Sequence, residues 1–405
     1  MANSFLSPTV ITREALVVLH QKATFLSSIN KQYDSRFANS GASASGKIGP
    51  TLTIRNPNRF AVTSQTALDV QDIGETSQTL TVATRRGVHF KMSADDLTLK
   101  IDEFSARYVQ PAVSALAAVV ESVVINDVYK DIYNIVDGDT AAFDFVHVST
   151  AQEILNDELA PPDNRTLCLR NKHVNKFMVA TKGLFNPQAQ LSKQFSAGTL
   201  GDLCDFGVKA SSLLTNFQTG TAAKTTGYTV NGATQNGATI TIQSGSTTFL
   251  KGDIVTFAGA NRVHPETKVS TGVLHKFTVT ADSGASATSL AISPSLVTVA
   301  ENPATYNVSA YPDNSGAVVK VGAGASELLD QSMGFHKDAF TFVTADLIDP
   351  SKYGAWGAVQ VMDNISMRVA RQWDMTNDAV PCRIDVLFGY KTIRPQLATR
   401  IHADG

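Results

Sequence analysis

Residues 93–136 read SADDLTLKIDEFSARYVQPAVSALAAVVESVVINDVYKDIYNIV, and the fold turns on how that stretch is taken. Val109, Val113, Leu116, Val120, Val124, Val128 and Ile132 follow one another at spacings of four, three, four, four, four and four, while Arg107, Glu121, Asn126 and Lys130 fall off that line. Such spacings return every side chain to one face, so the run predicts a helix with a single apolar seam. Ser93 followed by Asp96 has the form of a capping box, and Asp95 and Asp96 suit the positive end of a helix dipole, so a helical turn is expected to open there. Pro111 leaves two alternatives open. Either the helix runs unbroken from about residue 102 and bends where proline removes a backbone donor, or a new helix begins just before it. A rod of about 30 residues spans roughly 45 Å, longer than a compact domain needs, which makes the stretch a spine.

The bulk properties bound what hangs from that spine. With 405 residues the chain can bury two or three sizeable cores. Its net charge is −2 and its pI 6.4, so it is neither a basic wrapper of polyanions nor an acidic tail protein, and any nucleic-acid contact is local and weak. Cys168, Cys204 and Cys382 have no close spacing, which argues against a disulfide framework or a zinc site and fits a reducing compartment. The N-terminus MANSFLSPTVITREALVVLHQ lacks a cationic start followed by an apolar core, and no run is expected to reach the length of a membrane span; a soluble protein without an export signal is the expectation.

In chain order, the first element is an expected amphipathic helix over residues 12–26, with Ala15, Leu16, Leu19, Ala23 and Leu26 on one side. Arg13, Lys22, Lys31, Arg36, Lys47, Arg55 and Arg59 outnumber Glu14 and Asp34 in residues 1–60. A solvated face and an arm turned towards an acidic partner or nucleic acid both fit. After the Ser/Gly/Ala run at 40–46, alternating segments at 51–55 and at 79–83, the second continuing to 88–92, read as two strands of an extended hairpin arm. Two strands alone are marginal in water, so the arm needs something to lie on, such as a neighbouring subunit.

Beyond the spine, residues 149–153 offer overlapping capping boxes for a helix ending at Pro161-Pro162, residues 165–169 read as a buried strand, and Asn171 caps a short helix through Met178. Composition shifts at about 222–322 to Thr, Ser, Gly and Ala with little charge, and short strands at 238–243, 253–257, 276–280 and 289–292 give an all-β module of barrel or sandwich type. The α+β character then resumes, as expected for a domain inserted in a surface loop. Bolder strands follow at 339–344, 365–370 and 383–388, punctuated by Arg368, Arg371, Arg383 and Arg394, and a short Pro-marked tail runs from Arg394 to Gly405.

Chemistry has no foothold. The chain carries no GxSxG, P-loop, HExxH, CxxC or helix-opening GxGxxG. His336 and Asp338 are the nearest thing to an acid–base pair, but residues so placed at a strand entry serve as turn or capping groups, Cys168 reads as a buried structural thiol, and Asp95-Asp96 as helix caps rather than metal ligands. No catalytic residue, cofactor or metal is expected.

Taken in order, TLTIRNPNRFAVTSQTALDVQDIGETSQTLTVATRRGVHFKMSADDL leading into the spine, LKGDIVTFAGANRV in the β-module, FHKDAFTFVT and the closing CRIDVLFGYKTIRPQLATRI resemble a tailed-phage major capsid protein, with most likeness to the coat proteins of the Salmonella phage P22 group. The resemblance implies the α+β fold first described for phage HK97, with a long spine helix, an extended E-loop hairpin, peripheral and axial domains, and an inserted all-β, barrel-like domain. It divides the chain into an N-terminal arm (1–48), E-loop (49–92), peripheral domain with spine (93–140), axial domain (141–221 and 323–375), inserted β-domain (222–322) and peripheral C-terminal strands (376–405).

The implied function is a structural coat that self-assembles, as hexamers and pentamers, into an icosahedral virion head around double-stranded DNA in the bacterial cytoplasm. The implied partners are a scaffolding protein, a portal, a decoration protein and weakly held packaged DNA, with no membrane. Arg59, Asp69, Asp72 and Glu75 are expected at intersubunit contacts. The sequence departs from the family in two respects: Pro111 sits within the spine, and no lysine lies between Lys47 and Lys91, which leaves lysine-mediated cross-linking unsupported. A phage tail or fibre structural or binding module is the alternative reading.

Overall fold

A computed structural model describes residues 12–13, 15, 17, 24–32, 49–60, 62, 76–93, 108–181, 201–243, 245–322, 324–362 and 365–404. The chain divides into two compact units: Met1–Ile54, Ser77–Val124 and Phe340–Ile393 form the first, and Arg55–Thr76, Ile125–Ala339 and Arg394–Gly405 the second.

The seam is buried at every position from Val109 to Ile132, as its spacing requires. The α-helix itself is Gln110–Val128, followed by a 3-10 turn at Tyr129–Asp131. Tyr108 and Val109, just before it, are π-helical, so helical backbone precedes Pro111; residues 94–107, over which the two alternatives differ, lie outside the described residues. Its 19 α-helical residues span roughly 28 Å. Ser93 ends a strand instead of opening a helix, and Asp95 and Asp96 lie outside the described residues. Contrary to expectation, Gln110–Asp131 is long and apolar enough to cross a membrane by length and composition. Its seam is nevertheless packed in the protein, and Glu121, in its middle, is buried and accepts hydrogen bonds from Thr24 Oγ1 (3.1 Å) and the Phe25 amide (2.8 Å).

The first unit is built on a five-stranded sheet centred on the 14-residue strand Ala379–Thr392. Along one edge that strand pairs with Phe340–Ala345 and Ile365–Arg371, the latter carrying Trp356–Met362 beyond it; along the other it pairs with Thr84–Ser93 from end to end. The expected second hairpin strand is therefore broken in two. Ser77–Thr81 pairs with Thr51–Arg55, and after Val82 and Ala83 the chain crosses to the C-terminal strand. Ile54, Leu80 and Val82 pack with Val343 and Ile393, so the base of the hairpin lies on its own subunit. Thr12, Arg13, Ala15 and Val17 are helical, whereas Leu26 falls in a 3-10 turn, Leu26–Ser28; Leu16, Leu19 and Ala23 lie outside the described residues. Asn30 then covers the edge of Phe340–Ala345, donating to Phe340 O (3.2 Å) and accepting from the Phe342 amide (3.0 Å).

Among its described residues the second unit holds two six-stranded sheets and two short two-stranded ones. A mixed six-stranded sheet has the order Ile135–Ala142, Ala398–Asp404, Gln331–His336, Arg165–Arg170, Phe206–Ser211, Asp202–Leu203. The expected C-terminal tail is thus an interior strand, with Arg400 and His402 buried. The helices Phe145–Asp157 and Asn171–Thr181 belong to this unit, and Phe143 stacks on His173 at 4.8 Å between ring centres. The first helix is capped by Asp144, whose carboxylate accepts from the amides of Val146 (3.0 Å) and His147 (3.3 Å), so its start lies upstream of the expected Ser149.

The second sheet is antiparallel, in the order Gly237–Thr241, Ser289–Leu296, Phe277–Val279, Ile254–Phe257, Ala317–Val321, Thr225–Thr229. Its two outer strands also meet. The Gln243 amide donates to Thr229 O (2.8 Å) and the Asn231 amide to Thr241 O (3.0 Å), and Phe249, Phe257, Phe277 and Ile292 fill the interior. The two chain segments entering and leaving this module run side by side: Phe217–Gln218 pairs with Leu328–Leu329, and the Thr219 amide donates to Glu327 O at 2.9 Å.

Candidate assembly surface

Of the residues expected between subunits, Asp69, Asp72 and Glu75 lie outside the described residues. Arg59 is described and exposed, followed by Phe60 and Val62, which are 62% and 98% exposed. Its charge acts within its own unit. Burial raises the Glu158 carboxyl while Arg262, 3.3 Å away, and Arg59 oppose the rise; burial, with Arg59 adding to it, pulls the Lys268 amine down to about 8.

The first unit concentrates charge on one carboxylate that sequence inspection passed over. Asp385 is buried in the central strand, and Arg85, Arg368 and Arg383 converge on it from its two neighbours and its own strand. Arg368 is bidentate, with Nε at 3.0 Å from Oδ1 and Nη2 at 2.9 Å from Oδ2; Arg383 Nε donates at 2.7 Å and Arg85 Nε at 2.9 Å. Burial alone would raise this carboxyl, but the hydrogen bonds from Arg368 and Arg85 outweigh it and hold the group below its ordinary value. Arg85 and Arg383 keep side chains 39% and 45% exposed, so their surplus charge faces outward. A shallow cavity of about 390 Å³ opens beside them, lined by His89, Lys91, Pro381 and Arg383 among others. Cys382 also borders it, yet burial pushes its thiol up to about 11, which leaves it a poor nucleophile.

The second unit has an anchor of the opposite design. Arg400 is fully buried and donates to Gly252 O (2.5 Å), Lys130 O (2.8 Å) and Thr278 Oγ1 (3.1 Å), with its guanidinium 5.0 Å from the centre of the Tyr129 ring. Gly252 and Thr278 belong to the closed β-module, and Lys130 O ends the helical segment, where unsatisfied carbonyls concentrate negative charge. Burial draws the guanidinium down to about 10, so it stays charged at neutral pH. Lys251 and Lys276 reinforce the joint, the first donating to Asp127 (3.1 Å) and the second to Ile135 O (2.9 Å).

The remaining candidates are structural. His336 Nδ1 accepts from the Asp338 amide at 3.2 Å, the expected turn geometry, and Cys168 is buried in its strand. Among the described residues no group of acids, histidines and cysteines could hold a metal.

No curated protein matches the chain. Solved structures resemble it at low identity. One, described as Mycobacterium phage Che8, is 12% identical over 94% of this chain and 90% of its own, with a TM-score of 0.49. Another, described as the asymmetric unit of bacteriophage PhiM1 mature capsid, is 12% identical over 87% and 82%, with a TM-score of 0.43. The CUS-3 coat protein I-domain is 31% identical over 24% of this chain and 96% of its own, with a TM-score of 0.19. The family model for P22 coat protein, gene protein 5, matches residues 29–400, from the segment at Asn30 through Asp385 to Arg400 itself. The chain therefore belongs to the P22 coat protein family: it is the major capsid protein of a tailed phage, a structural component of the virion and not an enzyme.

Proposed function

We propose that this coat protein closes into an icosahedral head of hexamers and pentamers around double-stranded DNA, assembling in the bacterial cytoplasm with a scaffolding protein and a portal and accepting a decoration protein afterwards. The single observation that carries the proposal is the family match over residues 29–400. Within the head, Gln110–Val128 acts as the spine, the segment between Thr51–Arg55 and Ser77–Thr81 is the E-loop that reaches a neighbour, and 222–322 is the inserted barrel domain. The adjacent entry and exit segments of that domain support the last assignment. Contacts with packaged DNA are few and weak, in keeping with the near-neutral chain.

Negative-stain microscopy of the protein co-expressed with the other head proteins of its phage is the test. Closed shells are expected; monomers or small rings alone overturn the proposal. The subunits are held without covalent links, because residues 48–90 offer Arg55, Arg59, Arg85 and Arg86 but no lysine amine for an isopeptide bond. Mature particles boiled in detergent without reductant should run as one band near 43.2 kDa, and a ladder of multiples would show otherwise.

A further inference from the structure

We infer that internal water molecules complete the joint between the β-module and the six-stranded mixed sheet of the second unit, bridging buried polar groups that find no partner among the described residues. Side chains alternate along the strand Ala398–Asp404, so Arg400 and His402 share a face, and Gln331, directly paired with His402, stands beside it on that face. Tyr129 lies against this row: its ring centre is 5.0 Å from the Arg400 guanidinium and 6.1 Å from the centre of the His402 ring. All four residues are at most 2% exposed. Yet Arg400 Nε, the Tyr129 hydroxyl, Gln331 Oε1 and both ring nitrogens of His402 have no hydrogen-bond partner among the described residues. The Gly322 backbone comes near enough to His402 to favour its protonated form, but outside hydrogen-bond geometry.

The module contributes a second such group. Lys320 is paired with Val255, and Asp253 lies two residues before Val255, so ammonium and carboxylate are diagonal neighbours at one end of the module's core. Asp253 Oδ2 accepts from the amides of Gly220 (3.1 Å) and Leu250 (3.0 Å), and Lys320 donates to Gly220 O (3.2 Å). The two charges favour each other's ionised form, yet Asp253 Oδ1 is buried and receives no hydrogen bond from Lys320 or from any other described residue.

The mixture of groups identifies the ligand. Arg400 Nε can only donate, Gln331 Oε1 and Asp253 Oδ1 can only accept, and His402, kept neutral by burial and by the charge of Arg400, does one with each ring nitrogen. An anion would suit the donors alone and a metal cation the acceptors alone, whereas water serves both. Leaving so many buried groups unpaired would cancel much of a domain's net stability, and bridging water removes that cost.

Relaxation dispersion of oxygen-17 water counts slowly exchanging internal molecules in the full-length chain, and a structure of the same chain at a resolution that shows ordered water places them. Peaks of water strength are expected within about 3.2 Å of Asp253 Oδ1 and of a His402 ring nitrogen, each with a second polar partner. Tyr129→Phe and Gln331→Leu each delete one partner and should lower the dispersion amplitude by the equivalent of about one water. Unchanged amplitude in either folded variant, a direct bond from Lys320 to Asp253 Oδ1 or from His402 to Gln331 in the density, or a peak with the strength of a bound ion would overturn the inference. Should a variant fail to fold, the density of the unaltered chain decides.

Discussion

The carboxylate of Asp385 and the guanidinium of Arg400 are both buried in strands, yet they solve opposite problems. Asp385 gathers more positive charge than it can neutralise and leaves the excess on half-exposed side chains. Among the described residues Arg400 meets no carboxylate at hydrogen-bond distance; neutral carbonyls, a hydroxyl and the negative end of a helix share out its charge. The first arrangement has capacity left for a partner, whereas the second buries its guanidinium and directs both of its Nη groups to acceptors inside one subunit. A buried charge is thus evidence of a surface only when its counter-charges reach solvent.

Both tryptophans, Trp356 and Trp373, fall in the unit of Asp385, so their fluorescence follows that unit while circular dichroism follows the whole chain. Arg400→Ala should have the largest effect, about 3–5 kcal/mol, because it strands carbonyls that cannot reach water and leaves a cavity. The loss should appear in circular dichroism during denaturant unfolding, with the tryptophan transition much less moved; equal shifts would erase the contrast between the anchors. Asp385→Asn should cost about 2–3 kcal/mol through unpaired guanidinium groups, now read in the tryptophan transition.

Acid should separate the units on a smaller scale. Burial and the charge of Arg400 pull His402 down to about 3, and burial pulls His275 to about 4. Both stay neutral in the fold while the unfolded chain takes up a proton near pH 6.5, so their contribution is whole above that value and is lost as pH falls towards the folded values. Asp385, also depressed, keeps its contribution until pH falls below the ordinary carboxylate value of about 3.9. Between pH 7 and 5 the circular-dichroism transition should weaken by on the order of 2 kcal/mol for each of the two histidines while the tryptophan transition holds, and the reverse order would break the comparison. Smallest of all, Asp144→Ala removes a helix cap belonging to neither anchor and should cost about 1 kcal/mol in thermal unfolding.

Local periodicity was the legible part of this chain. The seam from Val109 to Ile132 is buried residue by residue, and the strands of the β-module fall near where short alternating runs in charge-poor sequence place them. What escaped was set by distant partners. Nothing in GVHFKM says that it pairs with a strand some 300 residues away, and TRIHAD reads as a polar tail because its arginine and histidine are buried by groups contributed from elsewhere. The cap at Asp144 was missed for a local reason: Ser149 lies four residues into a helix whose first turn is closed by a histidine instead of the usual glutamate. The anchor at Asp385 did leave a trace, since Arg383 and Asp385 are the polar pair at alternate positions in CRIDVLF and so share one side of a strand.

The paired segments at the foot of the β-module carry a consequence for how such a coat protein can evolve. Because Phe217–Gln218 and Leu328–Leu329 lie side by side, recombination at two nearby points in space could delete or replace everything between them without re-routing the backbone that remains. The guanidinium of Arg400 makes that exchange conditional. Two of its acceptors, the Gly252 carbonyl and the Thr278 hydroxyl, leave with the module, so a lineage that gains, loses or trades this segment must also change the residue at position 400 or inherit a stranded charge. The identity of the residue at position 400 should therefore track the presence of the module from one relative to the next, a heritable mark of partners more than a hundred residues upstream.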